Sequence, residues 1–331
     1  MRMVQTRRGF LGGIAAAGAA GLIRSSRAEV ADGPLETTTV RLAKGALCVS
    51  SLFIAEEMLR AEGFTEIRYI EEGRVPIRPI TQGEVDFSPA YAPLCVRAID
   101  AGEPIMVLSG VMVGCFELFA REGIDSVAEL KGKSIGVGAA ESLNAQLMTL
   151  ITAQVGFDSR KDVQWVTEPS VKPIELFVQG KIDAFLAFPP EPQDLRTRHI
   201  GHVLINTAVD HPWSQYFCCM FAGNREFVAM HPVATKRVVR AILKATDLCA
   251  TEPARAAQWL ADRGLTPHDG YAVQTLSENG YKWREYDAED TIRFYALRLH
   301  DVGLIKSTPQ KIIADGTDWR FLDEIKHELK A

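Results

Sequence analysis

The chain lacks the patterns that identify several large classes of protein. After residue 28 it has no apolar stretch of the roughly 18 residues that a membrane-spanning helix needs, and stretches such as Ile105–Val113 have only the length of a strand. No run of Lys and Arg exceeds two or three residues. Phosphate-loop, Gly-x-Gly-x-x-Gly, Gly-x-Ser-x-Gly and His-Glu-x-x-His motifs do not occur. These absences argue against a membrane protein, a nucleic-acid-binding protein and the commonest nucleotide-binding and hydrolytic enzymes.

The cysteines do not have the spacing of a disulfide framework or of a metal site. No Cys-x-x-Cys or His-x-x-x-His pair is present. Each cysteine lies within an apolar stretch, and the six are Cys48, Cys95, Cys115, Cys218, Cys219 and Cys249. We therefore expect buried free thiols, no metal site and no cofactor. A single long-range disulfide and a metal site filled before export are the alternatives.

What the sequence does contain is an N-terminal export signal. Arg7-Arg8 precedes the apolar run Gly12–Ile23, and Ser26-Arg27-Ala28 offers a cleavage site of small residues. A charged start, a short apolar core and such a site define a signal peptide and not a membrane span. The paired arginines resemble a twin-arginine (Tat) signal, with an ordinary Sec signal as the alternative. Residues 1–28 are thus predicted to be cleaved near Ala28, which places the mature protein in the periplasm.

The mature chain is predicted to be an acidic, soluble monomer. Removal of the first 28 residues, which hold five basic and no acidic residues, changes the net charge from −5 to −10. No cysteine precedes Cys48, so a lipid-anchored cysteine near the cleavage site is excluded. A chain of ~300 residues usually divides into two domains.

The pattern of apolar residues predicts an α/β protein with a helical C-terminal segment. Short strands alternate with amphipathic helices up to about residue 188, which is typical of a parallel sheet covered by helices. The predicted strands are 39–43, 67–71, 105–110, 134–137, 163–166 and 184–188. Beyond residue 231 the helices are predicted at 232–251, 253–263, 270–278, 288–302 and 319–329.

Four segments together carry a family resemblance. Two are Gly-x-(Val/Ile)-Asp elements, at Gly83–Phe87 and Gly180–Phe185, and a third is Ile124–Val137 with its Leu-Lys-Gly-Lys turn. The fourth is Leu42–Gly45, which leads into a helix containing Ala55-Glu56. Their order and spacing resemble the nitrate/sulfonate/taurine-type (NitT/TauT) periplasmic solute-binding proteins of ABC importers, which are relatives of the thiamine-precursor-binding proteins. The resemblance spans nearly the whole mature chain.

This resemblance implies a two-lobed periplasmic-binding-protein (type II) fold with an interlobe cleft. Two chain crossings are expected near 111–119 and 213–221. Lobe 1 would comprise 38–113 plus 218–331, and lobe 2 would comprise 114–217. The protein would capture a small organic solute by lobe closure and deliver it to an inner-membrane ABC permease.

The same resemblance implies no chemistry on the solute, so no catalytic residue is assigned and the protein is not expected to be an enzyme. Two alternatives share the fold. One is an enzyme resembling yeast-type thiamine-pyrimidine synthase, which uses a histidine and clustered cysteines with iron. The other is a ligand-sensing binding protein.

Candidate ligand-binding residues follow the predicted strands, because ligands of open α/β sheets lie beyond the carboxyl ends of the strands. Several have a structural alternative: Ser50 as a helix N-cap and Glu117 in an interlobe ion pair. For Tyr91 the alternative is packing against lobe 1, and for Trp213 it is packing at the hinge. The candidates are Ser50, Ser51, Ser88, Tyr91, Glu117, Ser142, Asn144, Phe188, Glu191 and Trp213.

The charges predicted around the cleft favour one class of ligand. Glu117, Glu141 and Glu191 lie in loops near it, and no arginine is evident there. A sulfonate or nitrate needs hydrogen-bond donors without competing carboxylates. We therefore expect an amine-bearing or heteroaromatic ligand, with a sulfonate as the alternative.

Overall fold

The computed structural model describes residues 33–44, 47–71, 77–139, 142–168, 170–266 and 269–329. The predicted signal peptide and Glu141 lie outside these residues. The strands are β1 (Thr39–Lys44), β2 (Glu66–Glu71), β3 (Phe87–Tyr91), β4 (Ile105–Val113), β5 (Glu117–Ala120), β6 (Ser134–Gly136), β7 (Gln164–Val166), β8 (Ala184–Ala187), β9 (His202–Asn206) and β10 (Phe217–Asn224).

Helices cover the strands and form most of the C-terminal third. They are α1 (Ser51–Ile54), α2 (Glu56–Ala61), α3 (Arg78–Thr81), α4 (Ala92–Asp100), α5 (Leu143–Gln154), α6 (Ser159–Asp162), α7 (Pro173–Val178), α8 (Glu191–Thr197), α9 (Arg225–Met230), α10 (Pro232–Thr251), α11 (Pro253–Asp262), α12 (Asp269–Glu278), α13 (Ala288–Asp301), α14 (Pro309–Gly316) and α15 (Arg320–Glu328). Within the ranges that the structure describes, no helix combines the length and apolar character needed to cross a membrane.

The strands form two five-stranded sheets, with orders β2-β1-β3-β10-β4 and β7-β6-β8-β5-β9. We call the first sheet and the helices packed on it lobe 1, and the second sheet with its helices lobe 2. The α/β class and the helical C-terminal segment predicted from the sequence are confirmed. The sheets are mixed and not all-parallel, because β10 runs antiparallel to β3 and β4, and β5 runs antiparallel to β8 and β9. In each sheet the antiparallel strand is the one that enters from the other lobe.

The two crossings between the lobes lie against each other. The chain leaves lobe 1 at 114–116 and returns at 207–216. The Phe116 N–H donates to Thr207 Oγ1 at 3.0 Å, and the Thr207 N–H donates to the Phe116 carbonyl at 2.9 Å. Gly114 has a φ of +86°, and a Cβ added there would lie 2.5 Å from the Ala208 Cβ. The crossings therefore form one hydrogen-bonded unit rather than two separate linkers.

The second crossing ends earlier than the sequence predicts. Residues 217–221 belong to β10 and are fully buried or nearly so, between β3 and β4. A continuous apolar run is typical of a strand that is covered on both faces. Residues 217–221 form such a run, and they therefore belong to β10 and not to the crossing expected near 213–221. The domain boundary predicted at 217/218 falls one residue inside β10.

The two Gly-x-(Val/Ile)-Asp elements have the same structural role in the two lobes. Asp86 in lobe 1 accepts a hydrogen bond from the Arg41 N–H at 2.7 Å, and its own N–H donates to the Arg41 carbonyl at 2.8 Å. Asp183 in lobe 2 accepts from the Ser134 N–H at 2.8 Å, and its N–H donates to the Ser134 carbonyl at 2.9 Å. Each aspartate directly precedes one strand of its sheet and binds the backbone of a residue in the neighbouring strand, which fixes the two strands to each other.

We expect Asp183→Ala to lower the free energy of unfolding by about 2 kcal/mol, because a carboxylate with several hydrogen bonds is lost. Burial raises the pKa of Asp183, but the hydrogen bonds from Ser134 outweigh it, so the pKa is lowered overall. Since the folded-state pKa is below the unfolded-state pKa, this stabilisation is present at neutral pH and is lost as the pH falls through the folded-state pKa. Urea unfolding at pH 7 and at acid pH tests this. The control is Asp125→Ala in the same lobe, whose side chain is 85% exposed; equal losses in both variants would contradict the prediction.

Candidate functional site

Three aromatic rings from both lobes and a crossing come together where the lobes meet. Tyr91 ends β3 in lobe 1, Phe116 lies in the first crossing, and Phe188 follows β8 in lobe 2. The ring centroids are 5.2 Å apart for Tyr91 and Phe116, 5.3 Å for Phe116 and Phe188, and 6.3 Å for Tyr91 and Phe188. All three are almost fully buried. Two predicted residues, Tyr91 and Phe188, are therefore brought together, and Phe116, which was not among the predicted residues, contacts both of them.

A cluster of thiols lies beside these rings, and the sequence spacing gave no indication of it. The sulfur atoms of Cys115, Cys218 and Cys219 are all within 4.8 Å of one another, and Cys115 Sγ is 3.3 Å from Cys218 Sγ. The Cys48 thiol is within hydrogen-bonding reach of Cys115 and Cys219. We call Cys48, Cys115, Cys218 and Cys219 the thiol cluster. Because Cys48 lies in a short 3-10 helix before α1, Cys115 in the first crossing and the other two in β10, only the fold brings them together.

The thiols of the cluster differ in their electrostatics. Burial and hydrogen bonding to its neighbours raise the pKa of the Cys115 thiol. Burial also raises the pKa of Cys218, but hydrogen bonds from Cys115 and Cys219 outweigh it and lower that pKa overall. Burial, followed by the nearby thiols, raises the pKa of Tyr91, whose phenol therefore stays neutral. As predicted, all six cysteines are free and buried.

An ion-pair network connects the two lobes near this place. The Glu117 carboxylate, at the start of β5, binds Arg196 Nη1 of α8, with one contact of 2.6 Å. Burial raises the pKa of Glu117, and Arg196 opposes that effect. Arg196 Nη2 also binds Glu278 of α12 at 3.0 Å, and Gln193 Nε2 donates to Glu278 at 3.0 Å. Since α12 belongs to lobe 1 and α8 to lobe 2, we call Gln193, Arg196 and Glu278 the interlobe latch.

Four further candidates have partners within the chain. Ser88 lies inside β3, and not in a loop as the sequence suggests, because that strand continues to Tyr91 alongside β10. Its Oγ donates to the Pro89 carbonyl at 2.8 Å. The remaining three are bonded within lobe 2: Ser142 Oγ caps α5 by accepting from the Ala145 N–H, Asn144 Nδ2 donates to the Leu186 carbonyl, and Glu191 Oε2 accepts from the Phe188 N–H.

The last three candidates lie on lobe 1 or at the second crossing. Ser50 precedes α1 but its side chain does not cap that helix. Trp213 is buried against Phe294 with a centroid distance of 6.0 Å, in agreement with the packing alternative. Among the described residues, Ser51 Oγ, Gln193 Oε1 and Thr275 Oγ1 are buried polar atoms without a hydrogen-bond partner. Such atoms are costly unless something satisfies them, which keeps the predicted Ser51 as a candidate for ligand contact.

Comparison with known proteins places this arrangement in a family. The NMT1/THI5-like family model matches residues 65–256, which is more than half of the chain. The chain belongs to the NMT1/THI5-like family. A binding protein of Brucella abortus (strain 2308) is 25% identical over 215 residues, a match that covers 65% of this chain and 66% of that relative.

Solved structures share the fold of this NMT1/THI5-like protein. The alkanesulfonate-binding protein SsuA of Xanthomonas axonopodis has a TM-score of 0.71 at 18% identity, with coverage of 86% of this chain and 99% of SsuA. The periplasmic nitrate-binding protein NrtA of Synechocystis has a TM-score of 0.74 at 14% identity, with 90% of each chain covered. These similarities confirm the periplasmic-binding-protein fold that the sequence resemblance implies.

Proposed function

We propose that this NMT1/THI5-like protein is the periplasmic solute-binding component of an ABC importer. It would capture a small organic solute between its lobes and deliver it to an inner-membrane permease. The observation that carries the proposal is the meeting of Tyr91, Phe116 and Phe188, since a ligand there contacts lobe 1, a crossing and lobe 2 together. A ligand bound in this way stabilises the closed arrangement over an open one.

The same rings indicate the class of solute. Aromatic faces bind flat heteroaromatic rings by stacking, and buried hydroxyl and amide groups supply directional contacts. The sequence suggests that Glu117 could bind a cationic amine of the ligand. The structure weakens this suggestion, because the Glu117 carboxylate is paired with Arg196. That same pairing engages the arginine that an anionic sulfonate or nitrate would need. We therefore propose a heteroaromatic solute that carries amine or other hydrogen-bonding groups.

Ligand identification tests this proposal directly. The mature protein would be unfolded and refolded to remove bound molecules, and then titrated by calorimetry with aminopyrimidines, aromatic amines, alkanesulfonates and nitrate. Tight binding of a heteroaromatic amine, with recovery of the compound unchanged, is the expected result. Binding of alkanesulfonates or nitrate with the aromatic compounds inert would overturn the ligand class. Conversion of the bound compound would favour the enzyme alternative.

The interlobe latch leads to a prediction about closure. We expect Glu278→Gln to raise the Kd for the solute about 1.4- to fivefold, because a partly exposed ion pair contributes about 0.2–1 kcal/mol and this one joins the lobes. Small-angle scattering should show a larger radius of gyration at subsaturating solute. Glu252→Gln is the matched control, since Glu252 pairs with Arg255 within lobe 1. An unchanged Kd in Glu278→Gln would show that the latch does not favour the closed arrangement.

A further inference from the structure

The thiol cluster is a set of four sulfur donors for which solute capture has no evident use. Cys115 lies in the first crossing, Cys218 and Cys219 lie at the start of β10, and Cys48 precedes α1. Three of the sulfurs are already within 4.8 Å of one another. A metal ion with metal–sulfur bonds of about 2.3 Å separates its sulfur ligands by less than twice that distance. The spacing therefore needs little adjustment to surround a single ion.

The chemistry of the donors selects the ion. Within the described residues the group contains cysteines only, with no histidine or carboxylate among them. Thiolates bind soft cations such as Cu(I) and Zn(II), whereas Mg²⁺, Ca²⁺ and Mn²⁺ require oxygen ligands. Three thiolates suit a trigonal Cu(I) ion, and recruitment of Cys48 would complete a tetrahedral set for Zn(II).

The surroundings of the cluster favour a bound ion over solvent. Cys48 and Cys219 are completely buried, and Cys115 and Cys218 are only 6% and 7% exposed. Burial in this way excludes water from a bound ion. Each thiol that binds releases its proton to solvent, and the charge of the cation offsets only part of the thiolate charge, so that Zn(II) leaves less negative charge on three thiolates than Cu(I) does.

We propose that Cys115, Cys218 and Cys219, supported by Cys48, form a binding site for one soft closed-shell metal ion, Cu(I) or Zn(II). This metal site is separate from the proposed capture of an organic solute, because the metal would be bound by thiols and the solute by the aromatic rings. Since Cys115 lies in the first crossing and Cys218 lies in β10, the bound ion would join that crossing directly to the sheet of lobe 1.

Metal competition tests the proposal on the full mature chain. The reduced, metal-free protein would be titrated against Cu(I) and Zn(II), each buffered by a chromophoric chelator. The wild type is expected to take one equivalent of at least one of these ions from the chelator. The X-ray absorption spectrum of the bound ion should show only sulfur atoms as neighbours. Cys218→Ser and Cys115→Ser should each lower the affinity about 100-fold or more, because loss of a ligand or its support costs at least 10–100-fold.

The control and the contrary outcomes are distinct. Cys249→Ser replaces a buried cysteine of α10 outside the cluster, and it should bind the metal like the wild type. The proposal would be overturned if the wild type withdrew neither ion from its chelator, or if Cys218→Ser bound the metal with the affinity of the wild type. Binding of iron alone would also overturn it. So would a Cys115–Cys218 disulfide in peptide maps of the exported protein. Solute titration of the same samples separates this outcome from failure of the proposed function.

Discussion

Phe188→Ala should weaken solute binding about 30-fold or more. Phe188 is almost fully buried and supplies the lobe 2 ring of the aromatic group, 5.3 Å from Phe116. Buried aromatic residues at the centre of a binding site commonly contribute 2 kcal/mol or more, and about 1.4 kcal/mol corresponds to a factor of ten in Kd. Calorimetric titration with the solute found by ligand identification would measure the loss.

The matched control for Phe188 is Phe119→Ala. Phe119 is equally buried in lobe 2, but it packs on Phe185 in the core of that lobe. Both variants lose stability, since Phe→Ala in a core costs about 3–5 kcal/mol, so binding is measured at a temperature where circular dichroism shows both to be folded. A similar loss of affinity in the two variants would place the solute elsewhere.

Gly114→Val should lower the free energy of unfolding by more than about 3 kcal/mol. Gly114 has a φ of +86°, where a β-branched side chain is strained by roughly 1–3 kcal/mol, and a Cβ would lie 2.6 Å from the Ala208 Cα. That contact is with backbone and cannot be relieved by a rotamer change, so the crossings must separate. Thermal and urea unfolding would measure the loss.

Gly123 provides the control for that substitution. Its φ of +84° is nearly the same, but nothing lies within 4 Å of the position of its Cβ. Gly123→Val therefore carries the backbone strain without the collision, and its cost should be about 1–3 kcal/mol. If the two variants lost equal stability, close contact between the crossings would not be an important part of the fold.

Local patterns were enough to predict most of the secondary structure. The helix Pro232–Thr251 begins and ends as predicted, because proline at its first position and a strongly amphipathic sequence both mark it. The helix predicted from Ser50 is instead divided into α1 and α2. The first five residues of β10, 217–221, fall within the crossing predicted near 213–221, because a short apolar run without alternation does not reveal whether it is a buried strand.

The site was less predictable than the fold, for a physical reason. Sequence reasoning can place residues at the ends of strands, which is how Tyr91 and Phe188 were selected. It cannot determine which polar side chains the chain itself satisfies: Asn144 bonds the Leu186 carbonyl, and Glu191 bonds the Phe188 N–H. Nor can spacing reveal the proximity of Cys115 to Cys218, which are 103 residues apart.

The hydrogen bonds between Phe116 and Thr207 restrict how this molecule can bend. Two independent linkers would let the lobes slide, twist and open separately, whereas a paired ribbon of backbone resists all but rotation about its own direction. For the proposed opening of the lobes, we therefore expect rotation about an axis along the ribbon to be the main motion. Residues near that axis would move least, so the groups closest to it would keep their mutual distances during opening.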